Sequence, residues 1–326
     1  MARRRPEESD IRIRPAKSTR RRSKDRPSHS DSIPAQVITV DRGRTLCRIA
    51  SGQLVSAMKA RELGKNSVVV GDLVNIVGDV SGDTGSLARI VAVQPRRNSL
   101  SRTIDDAGAF EKTIAANLDQ MIIVAASADP SPRQGFIDRC LAVAFDQGIK
   151  PIIVMSKADL ADPDEFLSAY KDLEVEYLKL KRGDDLTQLH KILEAKVSVL
   201  IGHSGVGKST LVNALLGIEK RDTGDVNLTT GRGRHTSSSA ISFELPNGGW
   251  IIDTPGVRSF GLEHIDKSRV IASFTEFASV IANCPKNCSH DEATCALNNY
   301  VKASPQASSR LASLQRLLDS SSQEII

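Results

Sequence analysis

Residues 202–209 read Gly-His-Ser-Gly-Val-Gly-Lys-Ser and match the phosphate-loop pattern G-x-x-x-x-G-K-[ST] at every fixed position. An apolar run at residues 197–201 comes before them, and a mostly apolar run at 211–216 comes after them. The motif therefore lies between a predicted buried strand and a predicted helix, as a phosphate loop must. Backbone N–H groups of such a loop, together with the helix N-terminus, bind phosphate oxygens. This feature predicts an α/β fold that binds a nucleoside triphosphate.

Individual residues of the loop have distinct predicted roles. The ammonium group of Lys208 would reach the β- and γ-phosphates, and the Ser209 hydroxyl would coordinate Mg²⁺. A glycine-rich turn that binds nothing is the alternative, and it is disfavoured because the motif and its context agree. The predicted nucleotide-binding residues here are Gly202, His203, Ser204, Gly205, Val206, Gly207, Lys208, Ser209 and Thr210.

Length and composition set the number of domains and the class of protein. At 326 residues the chain exceeds what one hydrophobic core usually holds, so two or three domains are expected. The 40% hydrophobic content is enough for packed cores. No apolar run approaches the roughly 18 residues of a membrane span, and no hydrophobic signal segment follows Met1. We expect a soluble, cytoplasmic, monomeric protein with no membrane partner.

Residues 1–33 are predicted to form a disordered basic tail. The first 30 residues hold nine Arg and two Lys against four acidic residues, with almost no apolar side chains. Such a segment would gain affinity for RNA by releasing counterions. The alternative is a tail that only improves solubility.

Residues 34–98 change to short apolar segments separated by turns, which predicts an OB-fold β-barrel. No Phe, Tyr or Trp occurs before Phe110, so the barrel lacks aromatic rings on which bases could stack. Contacts with folded RNA would then come from basic side chains, whereas a barrel that only packs on its neighbour is the alternative. The candidate residues are Arg42, Arg44, Arg48, Lys59, Arg61 and Lys65.

Residues 99–262 alternate apolar strands with helical stretches, which predicts a mostly parallel sheet covered on both faces. One of these strands ends in Asp253-Thr254-Pro255-Gly256, which matches the D-x-x-G element of GTPases. Asp253 would hold Mg²⁺ through water, and the Gly256 N–H would donate to the γ-phosphate.

A second motif indicates which base is bound. Ser156, Lys157, Ala158 and Asp159 follow another apolar strand and are similar to the [NT]-K-x-D element. The carboxylate of Asp159 would accept hydrogen bonds from guanine N1–H and the exocyclic amine, a donor pair that adenine does not offer. The Lys157 stem would cover the base. An ordinary turn at a strand end is the alternative.

The segment that begins at Cys284 supplies three thiols and one imidazole at short spacing: Cys284, Cys288, His290 and Cys295. Three Cys and one His complete a tetrahedral Zn²⁺ shell without an open position, which indicates one structural zinc. Reduced cysteines that lie together by coincidence are the alternative. Four leucines then predict a closing amphipathic helix, namely Leu311, Leu314, Leu317 and Leu318.

The order of the motifs is unusual for a GTPase. The base-reading turn precedes the phosphate loop, which precedes D-x-x-G, so the domain is circularly permuted. With the cysteine cluster, this arrangement resembles the ribosome small subunit-dependent GTPase A family, known as RsgA or YjeQ. Further matching stretches are Gly71-Asp72-Leu73-Val74, Ala116-Asn117-Leu118-Asp119-Gln120 and Gly233-Arg234-His235-Thr236.

The resemblance implies a GTPase with an N-terminal OB-fold and a zinc-binding helical domain at residues 263–326. It implies GTP, Mg²⁺ and Zn²⁺ as ligands, the small ribosomal subunit and its rRNA as partners, and a role in late subunit maturation with ribosome-stimulated hydrolysis. The alternative is a non-enzymatic rRNA-binding assembly factor that senses GTP. An ATP-dependent enzyme is a third possibility, because the base motif is altered.

The chain departs from the family pattern in several places. Ser156 stands where Asn is usual, which removes an amide expected to contact guanine N7 and brace the phosphate loop, so weaker guanine binding is expected. Lys179-Leu180 stands where Ser-Ala often contacts the guanine carbonyl. His203 replaces a common Gln and is expected still to form hydrogen bonds. Each outer loop of the cysteine cluster is one residue shorter.

The residue that activates water is not the glutamine found after D-x-x-G in many GTPases, because Val257 occupies that position. The glycine-bearing stretch 231–236 lies between the phosphate loop and Asp253, where a switch segment is expected. Thr236, or its neighbour Ser237, would close over Mg²⁺, and His235 would accept a hydrogen bond from the attacking water. Alternatively, His235 contacts rRNA or solvent and the ribosome supplies the missing group.

Overall fold

The computed structural model describes residues 29–41, 43–64, 67–104, 110–217, 240–254, 265–286 and 288–320. The chain divides into two units, Met1–Asp31 and Ser32–Ile326, and the described strands and helices belong to the second. The predicted disordered tail therefore lies almost wholly outside the described residues. None of the described helices is long and apolar enough to cross a bilayer.

The N-terminal part forms a closed five-stranded barrel, as predicted. Antiparallel pairs join β1 to β2, β2 to β3, β5 to β4 and β4 back to β1, and the β3–β5 pair is parallel. Side chains alternate along the strands, so that Val74 and Ile76 point into the core while Leu73 faces outward. The strands are β1 (Ile33–Asp41), β2 (Arg44–Ile49), β3 (Leu54–Lys59), β4 (Leu73–Gly78) and β5 (Ala88–Val93).

The sheet continues beyond the barrel through the pairing of β1 with β12, and this further part is almost entirely parallel. A two-stranded ribbon of β6 (Ser99–Ile104) and β7 (Phe110–Ala116) leads into it. The strand order is β10-β9-β8-β11-β13-β12, and only β12 is antiparallel to its neighbour. Its strands are β8 (Gln120–Ala126), β9 (Lys150–Ser156), β10 (Glu176–Lys179), β11 (Val197–Ile201), β12 (Ile241–Glu244) and β13 (Trp250–Asp253).

Four described helices flank this sheet: α1 (Gln134–Asp146), α2 (Asp164–Ser168), α3 (Thr187–Leu193) and α4 (Lys208–Leu215). The sequence pattern predicts α1 and the central strands to within a few residues, but neither the β6–β7 ribbon nor β10. The phosphate loop joins β11 to α4, so the motif lies at the carboxyl end of a central strand. This is where parallel sheets bind ligands.

Residues 71–74 and 116–120, two stretches that match the family pattern, connect the barrel to the sheet. The Asp72 carboxylate is fully buried and accepts two hydrogen bonds from the Arg96 guanidinium, at 2.7 and 2.9 Å. The Asn117 amide donates to the Gly71 carbonyl oxygen at 3.0 Å. A Cβ on Gly71 would lie 2.1 Å from the Ala116 carbonyl oxygen, so only glycine fits there.

The C-terminal part shares a hydrophobic core with the parallel sheet. Its helices are α5 (Lys267–Ala272), α6 (Thr275–Ala278), α7 (Ala296–Ala303) and α8 (Ser308–Ser320). The predicted leucines are buried in α8 and join one cluster with Ile137 and Leu141 of α1. Their predicted amphipathic helix is thus confirmed.

Polar groups also tie α8 to the rest of the fold. The Arg316 guanidinium lies 3.0 Å from the buried Asp138 carboxylate and stacks over the Tyr170 ring at 5.3 Å. Burial raises the pKa of Asp138, and the positive charge of Arg316 opposes that rise. Arg310 pairs with Glu276 and donates to the Asp172 carbonyl oxygen at 2.6 Å. Arg316 therefore links α8 to α1, whereas Arg310 links α8 to α6 and to the segment after α2.

Candidate nucleotide and metal sites

The phosphate loop has the backbone geometry that phosphate binding requires. Gly205 and Gly207 adopt left-handed conformations, with φ of 83° and 92°, and Gly207 caps α4. A side chain at Gly202 would place its Cβ 2.3 Å from the Val124 carbonyl oxygen on the neighbouring strand. Glycine is required at 202 by close packing and at 205 and 207 by the backbone.

Lys208 folds back over the loop. Its ammonium group donates to the carbonyl oxygens of Gly202 and His203, at 2.5 and 2.7 Å. Burial lowers the pKa of Lys208, and the nearby Asp253 carboxylate opposes this shift. Ser209 and Thr210 follow in the first turn of α4, and both are exposed. The loop thus presents an ammonium group and a hydroxyl next to the helix N-terminus.

Asp253 lies at the end of β13, directly beside the strand that carries the phosphate loop. It is paired with Leu200 in the parallel register of β11 and β13. Its Oδ1 atom is buried without a hydrogen-bond partner among the described residues, and burial raises the pKa of this carboxyl group. A carboxylate whose Oδ1 is buried without a described partner, close enough to Lys208 for their charges to interact, fits the ligand chemistry of Mg²⁺.

The base-reading turn lies beside the phosphate loop at the end of β9. The Ser156 hydroxyl lies 2.6 Å from the Val206 carbonyl oxygen, so it braces the loop that the missing Asn was expected to brace. Lys157 has a φ of 55°, and its ammonium group donates to the Asp129 carbonyl oxygen. Asp159 is exposed and available to a ligand.

The stretch that replaces Ser-Ala also lies at this turn. The Ala158 N–H donates to the Leu180 carbonyl oxygen at 3.1 Å, which places Lys179-Leu180 next to the base-reading residues. The Lys179 ammonium group is paired with Asp164. The backbone of this stretch is therefore in position to line a base pocket, while the Lys179 side chain is directed to α2.

His203 contributes its backbone to the loop and its ring to the core. The imidazole contacts the Phe136 ring of α1, with ring centroids 4.1 Å apart, and its Nε2 has no hydrogen-bond partner within the described part of the chain. Burial lowers the pKa of His203, and the positive charges of Arg133, Lys208 and Arg139 lower it further. Among the described residues the ring packs against α1 instead of forming the hydrogen bond expected of it.

The cysteine cluster comes together as predicted. The four ligand atoms of Cys284, Cys288, His290 and Cys295 lie within 4.8 Å of one another. The Cys284 Sγ lies 3.6 Å from the His290 Nδ1 and 3.8 Å from the Cys295 Sγ. Because Zn–S bonds are about 2.3 Å and Zn–N bonds about 2.0–2.1 Å, tetrahedral ligand atoms are separated by about 3.6–3.8 Å. The donor set and its spacing both fit zinc.

Groups around the cluster hold its ligands in place. The Ser289 N–H donates to the Glu292 carboxylate at 2.9 Å, which joins the residues on either side of His290. The Gln315 amide of α8 donates to the His290 carbonyl oxygen at 2.8 Å. The contact from Gln315 could not be predicted from the sequence pattern, because Gln315 lies far from the cluster along the chain.

Comparison with known proteins agrees with this geometry. The model of the family described as RsgA GTPase matches residues 93–263. A Pseudomonas aeruginosa protein named small ribosomal subunit biogenesis GTPase RsgA is 40% identical over 242 residues, which cover 71% of this chain and 70% of that protein. The chain belongs to the RsgA GTPase family. It is therefore related to GTP-hydrolysing enzymes, and membership implies GTP and Mg²⁺ as ligands.

Other members of the RsgA GTPase family match more of the chain. A protein of the same name from Shewanella oneidensis is 39% identical over 78% of this chain and 74% of its own length. The one from Chlorobaculum tepidum is 34% identical over 87% of this chain and 93% of its own length.

Solved structures share the fold of the family. The crystal structure of YjeQ from Thermotoga maritima has a TM-score of 0.63 at 24% identity, covering 90% of this chain and 100% of that one. YloQ, described as a circularly permuted GTPase, has a TM-score of 0.62 at 19% identity, covering 93% of this chain and 100% of that one. The predicted circular permutation and N-terminal barrel are confirmed.

Three predicted residues of the RsgA-type site fall outside the described part of the chain: His235, Thr236 and Gly256. Their roles stay predictions. The remaining nucleotide residues cluster at one end of the sheet, around β9, β11 and β13, whereas the zinc ligands lie among the C-terminal helices.

Proposed function

We propose that this GTPase binds the small ribosomal subunit through its rRNA and assists its late maturation. The observation that carries the proposal is the match, at 34–40% identity over most of both chains, to relatives named for small ribosomal subunit biogenesis. Membership of a GTPase family supports turnover of GTP rather than passive sensing. Because the proposed partner is a ribosomal subunit, we expect the protein to act in the cytoplasm. We also expect it to be a monomer.

The proposed nucleotide contacts divide between two loops. The N–H groups of Gly202–Thr210 and the Lys208 ammonium group bind the phosphates, and the Gly256 N–H donates to the γ-phosphate. Ser156, Lys157, Ala158 and Asp159 receive the base, with Asp159 accepting from guanine N1–H and its amine. The hydrogen bond from Ser156 to Val206 supports this assignment, since it holds base and phosphate subsites at a fixed separation.

Ser209, Thr236 and Asp253 are the proposed magnesium residues. When bound, Mg²⁺ would neutralise negative charge on the β- and γ-phosphates. The Oδ1 of Asp253 is buried without a partner among the described residues, which supports its role, because a buried carboxylate oxygen is costly unless a cation or a hydrogen-bond donor contacts it.

His235 is the proposed group that positions the attacking water. A neutral imidazole can accept a hydrogen bond from water at physiological pH, which Val257 cannot do. This assignment rests on the sequence position of the histidine between the phosphate loop and Asp253.

We assign one structural zinc to Cys284, Cys288, His290 and Cys295. The set is complete without a water position, so the site holds the loop between the described turn at residues 281–283 and α7 rather than performing chemistry. The burial of Cys295 and the separations of 3.6–3.8 Å support this assignment.

The barrel is the proposed rRNA-binding surface. Arg44, Arg61 and Arg89 are exposed on it and available to phosphates. Arg48, a predicted RNA contact, instead faces the GTPase sheet. Arg42 and Lys65 lie outside the described residues.

Turnover of GTP by the purified full chain, with and without small ribosomal subunits, tests the proposal. We expect subunits to raise the rate at least tenfold, large subunits to have little effect, and Lys208→Ala to abolish both basal and stimulated turnover. Competition of labelled GTP by GDP but not by ATP is expected if Asp159 reads the base. Equal turnover with and without small subunits would reject the ribosomal part of the proposal.

A further inference from the structure

Arg48 of the barrel contacts the β12–β13 hairpin, which carries Asp253. The Nη2 atom of Arg48, on β2, lies 2.9 Å from the Glu244 carboxylate at the end of β12. The same guanidinium lies over the Trp250 ring at the start of β13, 5.2 Å from its centroid. Glu244 and Trp250 are directly opposite each other in the β12–β13 register. One side chain therefore holds both members of a cross-strand pair.

The backbone reinforces this contact at the other end of the hairpin. Strand β1 of the barrel pairs with β12 at Thr39 and Ile241. Ile241 in turn is paired with Asp253, and Asp253 with Leu200 of the phosphate-loop strand. Neighbouring strands are about 4.8 Å apart, so the barrel backbone is about 10 Å from the Asp253 backbone.

An irregularity in β1 makes the second pairing possible. The first half of β1 pairs with β4 to close the barrel, and the register of β1 with β2 shifts between Val37 and Thr39. A bulge of this kind bends a strand and redirects the residues that come after it. The strand thus separates from β4, while it stays paired with β2, just before it meets β12.

We propose that Arg48 is a positioning residue for GTP hydrolysis, which holds β13 from the barrel side and thereby fixes Asp253 for Mg²⁺. Trp250 stands three residues before Asp253 on this short strand and is only 9% exposed. Its backbone N–H donates to the Lys196 carbonyl oxygen at 2.7 Å, just before the phosphate-loop strand. Movement of the indole would therefore move the strand that presents the carboxylate.

The planar guanidinium explains why arginine suits this position. It can stack on the indole face and donate to a carboxylate at the same time, whereas the compact ammonium of lysine cannot do both. The side chains of Arg48 and Glu244 are 32% and 45% exposed, so the ion pair alone is weak and the stacking supplies the constraint on β13.

The inference rests on the proposed magnesium role of Asp253 and on the GTPase activity of the family, and not on the ribosomal partner. Its test therefore uses the full chain without ribosomal subunits, so that failure of the partner assignment would leave it unaffected. The chain contains one tryptophan, and this residue is Trp250, so its fluorescence reports the position of interest directly.

The experiment is a titration of Mg²⁺ into protein saturated with a non-hydrolysable GTP analogue, followed by Trp250 emission. We expect Arg48→Ala to raise the half-saturating Mg²⁺ concentration about three- to tenfold, less than the loss of a group bonded directly to a metal ligand. Arg48→Lys is expected to recover only part of the loss. Basal turnover should recover at high Mg²⁺ in both variants.

Glu62→Ala is the control, because Glu62 is exposed on the barrel, outside the proposed rRNA contacts, and forms no ion pair with another described residue. It is expected to leave the Mg²⁺ midpoint unchanged. Thermal melting of each variant checks that the barrel is folded. If Arg48→Ala does not fold, Glu244→Gln and Arg48→Lys are measured instead. Both should raise the half-saturating Mg²⁺ concentration. Midpoints within twofold of the parent in every folded variant would overturn the proposal, as would an equal shift in Glu62→Ala.

Discussion

The Ser156 hydroxyl reaches the Val206 carbonyl oxygen at 2.6 Å, so the base-reading turn is hydrogen-bonded to the phosphate loop despite the loss of the usual asparagine. The shorter side chain performs this task because β9 and β11 flank the common neighbour β8 and end at the same edge of the sheet. What serine cannot supply is a second amide donor or acceptor directed at the base.

Replacement of Ser156 tests these two roles separately. Ser156→Ala should remove the brace and weaken GTP binding about fivefold, since one such hydrogen bond contributes about 1 kcal/mol. Ser156→Asn should retain the brace and increase the preference for GTP over ATP. Equilibrium binding with fluorescent nucleotides measures both. An alanine variant with unchanged GTP affinity would show that the brace is dispensable.

Asp253→Asn should increase the stability of the nucleotide-free protein at pH 7 and abolish its Mg²⁺-dependent turnover. Burial raises the pKa of Asp253 in the folded chain above its unfolded value, so its ionised form costs stability at neutral pH and this cost disappears as the pH falls below about 4. The amide should therefore raise the melting temperature of nucleotide-free protein at pH 7, but not at pH 4, while Mg²⁺-dependent turnover is lost. A lower melting temperature at pH 7 would contradict this account.

Removal of zinc should loosen only part of the C-terminal helices. Cys295→Ser is expected to eliminate bound zinc and to increase hydrogen exchange over residues 281–304, because metal binding supplies local folding energy. Helix α8 should stay protected, since its leucines are buried against α1. Elemental analysis and hydrogen exchange provide the measurements, with Lys286→Ala as an exposed control between the ligands. Purified parent protein without zinc would reject the metal assignment.

His235→Ala should lower subunit-stimulated turnover by roughly 10²-fold while GTP affinity stays nearly constant, the usual range for a positioned acid–base group. Single-turnover hydrolysis in the presence of small subunits measures the effect. A rate within about threefold of the parent, with subunit binding intact, would move the catalytic role to another group.

His203→Gln should make stability less dependent on pH. The folded state lowers the pKa of His203, so the unfolded chain binds the proton more readily and stability falls as the pH drops below about 6.5. Glutamine has no such titration. Melting temperatures at pH 7.5 and 5.5 should therefore differ less in the variant than in the parent, and an equal difference would place the sensitivity elsewhere.

The motifs that can be predicted from the sequence are those whose residues are close along the chain. Gly202–Ser209 and the cluster from Cys284 to Cys295 each bring their groups together within a single turn or loop, so spacing alone is informative. The order of the motifs also predicts the permutation, since connectivity is a property of the sequence itself.

Contacts between distant segments cannot be predicted in this way. The sequence favours Arg48 as an RNA contact, because nothing near it along the chain reveals that Glu244 and Trp250 lie against it. The ring of His203 is expected to form hydrogen bonds, but Phe136 occupies the space beside it. In both cases the partner is fixed by packing of whole elements, which a local pattern does not record.

The pairing of Thr39 with Ile241 also changes what the edge of the GTPase sheet exposes to other proteins. An unpaired strand end is a template for further strands, and Ile241 and Phe243 would make this one apolar. At the opposite end, β10 is protected by Glu176 and Lys179, whose charges discourage such pairing. A shortened chain without the barrel would therefore be prone to self-association through β12. By pairing with β12, the barrel also protects this strand from aggregation.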